Sequence, residues 1–369
     1  MKITIPKDQI ITGLQAVQNI VGSRTTLPIL SNVLIRAENG LVEFTATDLD
    51  VTIICKVKAE VLGVGSSTLP VKRLFGIARE LPGNSIEFET DSKAVATLQA
   101  GGAFYRIHGL GAEEFPPVAT FGNDRKLTLP LEKFKSMLRR SSIAMSNDES
   151  RFILNGIFMK FATDKITMVA TDGRRLAMDE EDSEGTGGAE GSFILPTKAC
   201  NELNRLIQGA GEVDIRFTDN QACFTLRPQE GAPIVLISKL VEGSYPNYQQ
   251  VIPKETKERI ALNREEFHQA LRRAEFMTSE KSNSVKLSFG KNRLDITANT
   301  PEIGEGRESL AINYKGREIA IAFNPAYLMD PLKVVETDEV FMELTDELSP
   351  GLLKINGPFL YVLMPMRTS

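Results

Sequence analysis

Apolar and polar positions along the chain follow two alternating patterns. Short runs rich in Val, Ile, Leu, Phe and Thr, such as Asn32–Arg36, Leu41–Thr47 and Val51–Val57, are typical of strands. Between groups of such runs lie longer amphipathic stretches with helical spacing. Each amphipathic stretch follows a Pro or Asn at the end of a strand, at Pro6, Pro70, Pro130, Pro196, Asn263 and Asn324. The pattern predicts a β-α-β-β-β module that occurs six times, every 60 to 67 residues.

The residue before each helix fits this prediction. Proline suits the first helical position, where its missing N–H would have no partner, and asparagine suits the N-cap because its side chain accepts a hydrogen bond from the first turn.

A longer repeat groups the modules in pairs. Ala46-Thr47-Asp48, Ala170-Thr171-Asp172 and Ala298-Asn299-Thr300 each close a strand of matching pattern, and their third residues lie 124 and 128 positions apart. We therefore predict an α+β protein with three copies of one domain, at residues 1–122, 123–253 and 254–369. Gly, Asn, Pro and charged residues interrupt the apolar pattern near both boundaries. The acidic, Gly-rich stretch Asp179–Gly191 is interpreted as a solvated loop.

Charge distribution suggests how the domains are arranged. The predicted helices carry a net charge of +5, although the whole chain carries −5 and the remainder therefore −10. Repeated domains joined head to tail form a ring when their rotation closes, and basic helices are expected on the face that meets a polyanion. The alternative is that Lys and Arg are simply good helix formers on solvated faces. Charge alone does not separate the two.

Composition limits location and chemistry. The start of the chain carries Lys7 and Asp8 where a signal peptide would be apolar, and no stretch has the apolar length of a membrane span. Cys55, Cys200 and Cys223 lie far apart among apolar neighbours, which favours reduced, buried thiols. We therefore expect a cytoplasmic protein without contact to membranes.

Catalytic motifs are scarce. His108 and His268 are the only histidines, no Cys or His spacing suits a metal, and no phosphate-loop, nucleophile-elbow or dinucleotide motif occurs. We expect no catalytic residues, no metal and no cofactor. One rival hypothesis is a metal-dependent enzyme acting on nucleic acid through Asp48, Asp172 or Asp219. Another is a repeat-built scaffold unrelated to DNA.

Five segments carry a resemblance to a known family. They are Thr26-Leu27-Pro28-Ile29-Leu30, Ala170-Thr171-Asp172-Gly173 with Arg175-Leu176, Ser238-Lys239-Leu240-Val241, Tyr245-Pro246-Asn247-Tyr248 and Met364-Pro365-Met366-Arg367. In this order, with the threefold repeat, the whole chain resembles the bacterial β sliding clamps, the processivity subunits of DNA polymerase III.

The resemblance implies a fold and a set of partners. The fold is a ring of two head-to-tail copies, with helices lining a central hole around double-stranded DNA and sheets outside. The partners are the DNA polymerase III core and other polymerases, a clamp loader, and repair proteins that carry short clamp-binding peptides.

The resemblance also implies site residues. A peptide-binding pocket is expected at Leu154, Thr171, Gly173, Arg174, Arg175, Leu176, Pro246, Val251, Val362, Met364, Pro365, Met366 and Arg367. Flexible methionines would let this pocket accept differing Leu and Phe anchors. Without the family, a buried strand is the simpler interpretation of Leu360–Met364. Arg174 stands where the family often has His, and Gln250 where it often has Arg, so peptide preference is open.

DNA contacts and a seam between copies are expected elsewhere. The resemblance implies DNA contacts at Arg24, Lys72, Arg73, Arg79, Lys198 and Arg205, and charge alone adds Arg139, Arg140, Arg272 and Arg273. Contacts to phosphate hold a protein on DNA without reading the sequence, as sliding requires. By position, Tyr105 and Ile107 of one copy would meet Phe276 and Met277 of the other, although a core role for these four is an alternative.

Overall fold

The computed structural model describes residues 1–22, 27–121, 125–183, 189–280 and 282–367. The helices of these residues are α1 Lys7–Val17, α2 Val71–Glu80, α3 Leu131–Ser142, α4 Thr197–Leu206, α5 Arg264–Glu275 and α6 Pro325–Val334. The strands before α3 are β1 Lys2–Pro6, β2 Asn32–Glu38, β3 Leu41–Thr47, β4 Val51–Lys58, β5 Glu60–Gly63, β6 Gly65–Pro70, β7 Ser85–Thr90, β8 Val95–Ala100, β9 Ala103–His108 and β10 Arg125–Pro130.

Fifteen further strands follow α3 within the described ranges. They are β11 Gly156–Phe161, β12 Lys165–Thr171, β13 Arg175–Asp182, β14 Gly191–Pro196, β15 Gly211–Phe217, β16 Gln221–Pro228, β17 Ile234–Lys239, β18 Glu258–Asn263, β19 Val285–Gly290, β20 Arg293–Thr300, β21 Gly304–Ala311, β22 Ile319–Phe323, β23 Glu339–Leu344, β24 Gly351–Lys354 and β25 Phe359–Leu363.

This order confirms the six predicted modules. Each is a strand, a helix and three strands, and β5 is the one addition in the described part of the chain. Asn263 and Asn324 are N-caps as predicted, since their side chains accept hydrogen bonds from the amides of Glu266 and Tyr327 at 3.0 and 3.2 Å. Pro6 and Pro70 lie one residue earlier than predicted, at the N-cap, with extended ψ angles of 139° and 107°. Each ends a strand and fixes φ for the turn into the helix.

The first of two compact units consists mainly of Met1–Lys135 and Lys198–Leu240. It contains a five-stranded sheet in the order β5-β1-β7-β8-β9 and an eight-stranded sheet in the order β10-β15-β16-β17-β4-β3-β2-β6. The eight-stranded sheet joins the predicted first and second domains, because β17 pairs antiparallel with β4, with Leu236 opposite Ile53.

The second compact unit consists mainly of Ser136–Gly185, Glu190–Thr197 and Val241–Ser369. Its sheets have the orders β14-β11-β12-β13-β25-β24-β23-β18 and β21-β20-β19-β22. Here β13 pairs antiparallel with β25, with Leu176 opposite Val362. Two segments that the sequence places almost 190 residues apart are therefore neighbours in one sheet.

The helices bury one face, as the amphipathic pattern predicts. In α2, Val71, Leu74 and Ala78 are fully buried, whereas Lys72 and Arg73 are exposed. The basic residues of this helix are therefore free of the core.

The predicted acidic loop at Asp179–Gly191 begins later than expected. Strand β13 continues to Asp182, and Asp179 lies opposite Phe359 in the sheet. The Asp179 side chain is fully buried and pairs with Arg140 at 3.1 Å. Pairing with β12 up to Asp182, and with the distant strand β25 up to Asp179, keeps this polar stretch in the sheet.

The three cysteines are buried, as predicted. Burial raises the pKa of Cys55 to about 12, so its thiol stays protonated at neutral pH. No helix in the described ranges is both long and apolar enough to cross a membrane.

Candidate functional site

The turn between β12 and β13 forms one side of the predicted pocket. The Asp172 carboxylate accepts hydrogen bonds from the amides of Arg174 and Arg175 at 2.9 and 3.1 Å. The Thr171 hydroxyl donates to the Arg175 carbonyl at 2.6 Å and accepts from the amide of Gly173 at 3.1 Å. Gly173 has a φ of +85°, which side chains rarely adopt. These bonds fix the turn and leave Gly173 and Arg174 exposed.

Arg175 points inward from this turn. Its side chain is 11% exposed, and its Nε lies 3.1 Å from the Asp172 carboxylate. Its Nη1 pairs with Asp330 of α6, and the guanidinium carbon lies 4.2 Å from the centre of the Tyr327 ring. Burial by itself lowers the pKa of Arg175, but Tyr361 and Asp330 outweigh it and hold the pKa above its usual value.

Leu176 and Val362 lie under the predicted pocket. They are 2% and 1% exposed and form an apolar cluster with Val169 and Leu352. These two predicted pocket residues are thus core residues in the chain as described.

Aromatic rings pack on this cluster. Phe158 stacks on Tyr245 with ring centres 5.0 Å apart and an interplanar angle of 12°, and Tyr248 lies against Phe158 at 6.1 Å. Burial raises the pKa of Tyr245 well above its usual value. Pro246, between the two tyrosines, is exposed beside this apolar base.

The last described residues continue β25 along the same surface. The amide of Met364 donates to the Arg174 carbonyl at 3.0 Å, and the amide of Met366 donates to the Ala322 carbonyl at 2.8 Å. Backbone hydrogen bonds thus hold the segment in place while Met364 and Met366 remain 43% and 38% exposed. Pro365 is half-buried and Arg367 is exposed.

A cleft of about 380 Å³ lies beside Met364. It brings Val251, which is 47% exposed, together with Met364, Ile252 and Pro350. Gln250, one of the two departures from the family pattern, also lines it. Leu154 is half-buried at the end of a 3₁₀ turn, Glu149–Leu154. An exposed apolar cleft with flexible methionine at its wall suits the anchor side chain of a peptide.

The predicted DNA contacts fall into two groups. Lys72 and Arg73 are exposed on α2, Arg272 is exposed on α5, and Arg79 is exposed beside Glu80 at 3.1 Å. These side chains are available to phosphate.

The other predicted contacts are engaged within the chain. Arg140 pairs with buried Asp179, and Arg139 donates to the Lys333 carbonyl at 2.9 Å. Lys198 pairs with Asp48, and Arg273 with Glu308 at 2.7 Å.

Arg205 contacts both α1 and its own helix. It donates to the Ala16 carbonyl at 2.6 Å and pairs with Glu202. The carbonyls at the end of α1 lack helical partners, so Arg205 satisfies them, and it is a structural residue in the described chain. Arg24 lies outside the described residues.

The four predicted seam residues differ in exposure. Tyr105 on the edge strand β9 is 45% exposed, and Phe276 after α5 is 75% exposed. Met277 is half-buried. Ile107 is 3% exposed and belongs to the core.

The carboxylates that the enzyme hypothesis requires lie in turns between strands. Asp48 and Asp172 each cap backbone amides and pair with a cation, and Asp219 is exposed in the turn between β15 and β16. The described residues contain no cluster of three or more His, Cys, Asp or Glu that could hold a metal.

Comparison with known proteins decides the family. The models for the N-terminal, central and C-terminal domains of the DNA polymerase III beta subunit match residues 1–119, 128–247 and 249–367. The chain belongs to the DNA polymerase III beta subunit family, the β sliding clamps.

Individual clamps align with the whole chain. The beta sliding clamp of Chlamydia muridarum is 36% identical over 367 residues, which cover 100% of this chain and 99% of that protein. The clamp of Bacillus subtilis is 30% identical, with 100% of both chains covered.

Solved clamps have the same fold. The Bacillus subtilis clamp superposes with a TM-score of 0.94 at 30% identity, and the Bartonella birtlesii clamp bound to griselimycin with 0.93 at 33% identity, with 100% of each chain covered. The predicted function and the three clamp domains are therefore confirmed. The chain is a non-enzymatic DNA sliding clamp, and its partners are DNA and a polymerase. Nothing supports the metal-dependent enzyme.

Sequence reasoning missed several residues of the site. Tyr327, Asp330 and Tyr361 surround Arg175, and Phe158 supports the tyrosines. The Tyr-Pro-Asn-Tyr segment was a usable signal for the aromatic base. Asp330 had no such signal, because only the packing of α6 brings it to Arg175.

Proposed function

We propose that two copies of this chain close head to tail into a ring around double-stranded DNA. The supporting observation is a pair of edge strands, β9 and β21, one in each compact unit. Edge strands present unpaired N–H and C=O groups that can pair with another chain. Exposed aromatic side chains accompany them, Phe104 (60%) on β9 and Phe276 (75%) before β21. Pairing of β9 with the β21 of a second copy satisfies both edges and covers both aromatic residues.

The ring holds DNA by enclosure. Exposed Lys72, Arg73, Arg79 and Arg272 supply weak, sequence-independent contacts to phosphate, so the ring is held and still moves. A clamp loader opens the seam, and the clamp works in the cytoplasm with the replication polymerase.

The experiment compares circular DNA with linear DNA. Clamps loaded onto a nicked circular plasmid are expected to survive a high-salt wash, because salt weakens phosphate contacts but does not remove a topological link. Cutting the same loaded plasmid once is expected to release them from the ends. Equal retention before and after the cut would contradict enclosure.

The surface around Met364 binds client peptides. We assign the polymerase, the loader and repair proteins to one pocket formed by the 171–174 turn, Val251 and Met364–Arg367. The supporting observation is that backbone hydrogen bonds fix this segment while its methionines stay exposed.

Removing the tail tests the pocket. A chain that ends at Leu363 is expected to lose about 2 kcal/mol or more of affinity for a labelled peptide with Leu and Phe anchors, since anchor pockets carry most of the binding energy. Fluorescence anisotropy measures the affinity, and the mass in solution must stay that of the dimer. Undiminished affinity would place the pocket elsewhere.

A further inference from the structure

The Arg175 side chain is largely buried and contacts four other side chains of the protein. Its guanidinium meets Asp172 at 3.1 Å, pairs with Asp330, lies on the Tyr327 ring and reaches the Tyr361 hydroxyl at 3.5 Å. With 11% of its side chain exposed, it has little surface left for a ligand. A largely buried guanidinium that left these partners would itself lose its counter-charges, which is costly.

The partners of Arg175 belong to three separate segments. Asp172 lies in the turn that carries Thr171, Gly173 and Arg174, whereas Tyr327 and Asp330 lie on α6. Tyr361 lies on β25, which leads directly into Met364. The Tyr361 hydroxyl also donates to the Tyr327 carbonyl at 3.0 Å, which closes the network.

The network therefore joins the two sides of the proposed pocket. One side is the 171–174 turn, and the other is the Met364–Arg367 segment, which hydrogen-bonds to the turn through Arg174. A binding site keeps its affinity when neighbouring groups hold its walls in the bound geometry.

We propose that Arg175 is a positioning residue for client binding, which fixes the 171–174 turn against α6 and β25 without contacting the peptide. This inference rests on the client pocket proposed above.

The chain offers a matched control. Arg140 and Asp179 form a second buried pair in the same compact unit, 3.1 Å apart with 17% and 0% of their side chains exposed. This pair ties α3 to β13 and includes none of the proposed pocket residues. Arg140→Met should lower the thermal midpoint and leave peptide affinity unchanged.

The experiment measures dissociation constants for a labelled peptide with Leu and Phe anchors, at a temperature where circular dichroism shows each full-length variant folded. Arg175→Met is expected to weaken binding by on the order of tenfold, and Arg175→Lys by less, because it keeps the charge but loses the planar fork. Asp330→Asn removes the charge of the α6 partner of Arg175. It replaces Arg175→Met in the experiment if that variant fails to fold.

A double variant separates positioning from direct contact. If Arg175 acts through Asp330, Arg175→Met with Asp330→Asn should bind no more weakly than Arg175→Met alone. Additive losses would show that Arg175 does not act through Asp330 and would overturn the inference.

The remaining outcomes distinguish this inference from the pocket itself. The positioning role alone is overturned if the unchanged chain binds the peptide and Arg175→Met binds it equally well. It is also overturned if Arg140→Met loses as much affinity as Arg175→Met. Failure of the unchanged chain to bind, or undiminished binding by the chain ending at Leu363, overturns the pocket and this inference together.

Discussion

Two turns of this clamp have the same backbone conformation and differ in the side chains that they present to solvent. The turn after β3 in the first compact unit and the turn after β12 in the second have equivalent hydrogen bonds. Asp48 accepts from the amides of Asp50 and Val51 at 3.1 and 2.8 Å, as Asp172 does from the amides of Arg174 and Arg175. The Thr47 hydroxyl repeats the bonds of Thr171. The repeat in the sequence is therefore a repeat of local geometry.

The side chains at the third and fifth positions of this turn differ. Leu49 has a φ of +79° and is 45% exposed, where the second turn has Gly173 at +85°. Buried Val51 stands where the second turn has Arg175.

The cation that meets each aspartate differs accordingly. Lys198 of α4 reaches Asp48 directly, whereas Arg175 lies between Asp172 and α6. One backbone conformation thus forms a turn held by a single lysine in the first unit and one side of the proposed pocket in the second.

The largest effect is expected from making the second turn like the first. Gly173→Leu places a leucine side chain at the side of the proposed pocket. It should weaken the free energy of peptide binding by about 1–3 kcal/mol, the usual cost of adding a side chain to a filled space. The nearest atom to an added Cβ is the flexible end of Arg151 at 3.0 Å, and the unfavourable φ should cost about 1–2 kcal/mol of folding free energy. Anisotropy and urea denaturation measure the two quantities.

The reciprocal change is the control. Leu49→Gly should leave peptide affinity unaltered. A Gly173→Leu variant that binds normally would show that this turn is no part of the pocket.

A smaller effect is expected from the two aspartates. Asp172→Asn weakens a pair in which both side chains are less than 20% exposed, and should cost about 2 kcal/mol of unfolding free energy. Asp48→Asn weakens a pair whose lysine is 47% exposed, and should cost at most about 1 kcal/mol. Asparagine keeps an acceptor for the amides in both turns. The difference between the two losses of unfolding free energy therefore measures the difference between the two ion pairs. Urea denaturation of the two variants measures it, and equal losses would mean that burial of Arg175 adds nothing.

Much of the fold could be predicted from local signals. The Pro or Asn before each helix and the short apolar runs between helices are properties of neighbouring residues, and they located the six modules. Asp179 could not be placed in this way, because its strand is fixed by pairing with β25.

The candidate site was predicted less completely. Family resemblance supplied Met364 and Gly173, which the structure leaves exposed on one surface of the second unit. Arg205 was predicted to meet DNA from the family resemblance and Arg140 from charge alone, and neither signal shows the partners that these side chains have within the chain.

The sequence by itself determined the repeat, the α+β class, the turns at Asp48 and Asp172 and the family, because these depend on residues close together in the chain or on long stretches of similarity. Only the tertiary structure decided which cations are free and which are engaged. Lys72 and Arg175 carry the same charge, yet Lys72 is exposed on a helix, whereas Arg175 is enclosed by residues up to 186 positions away. The free energy of a charge depends on its solvation and partners, and long-range packing sets both.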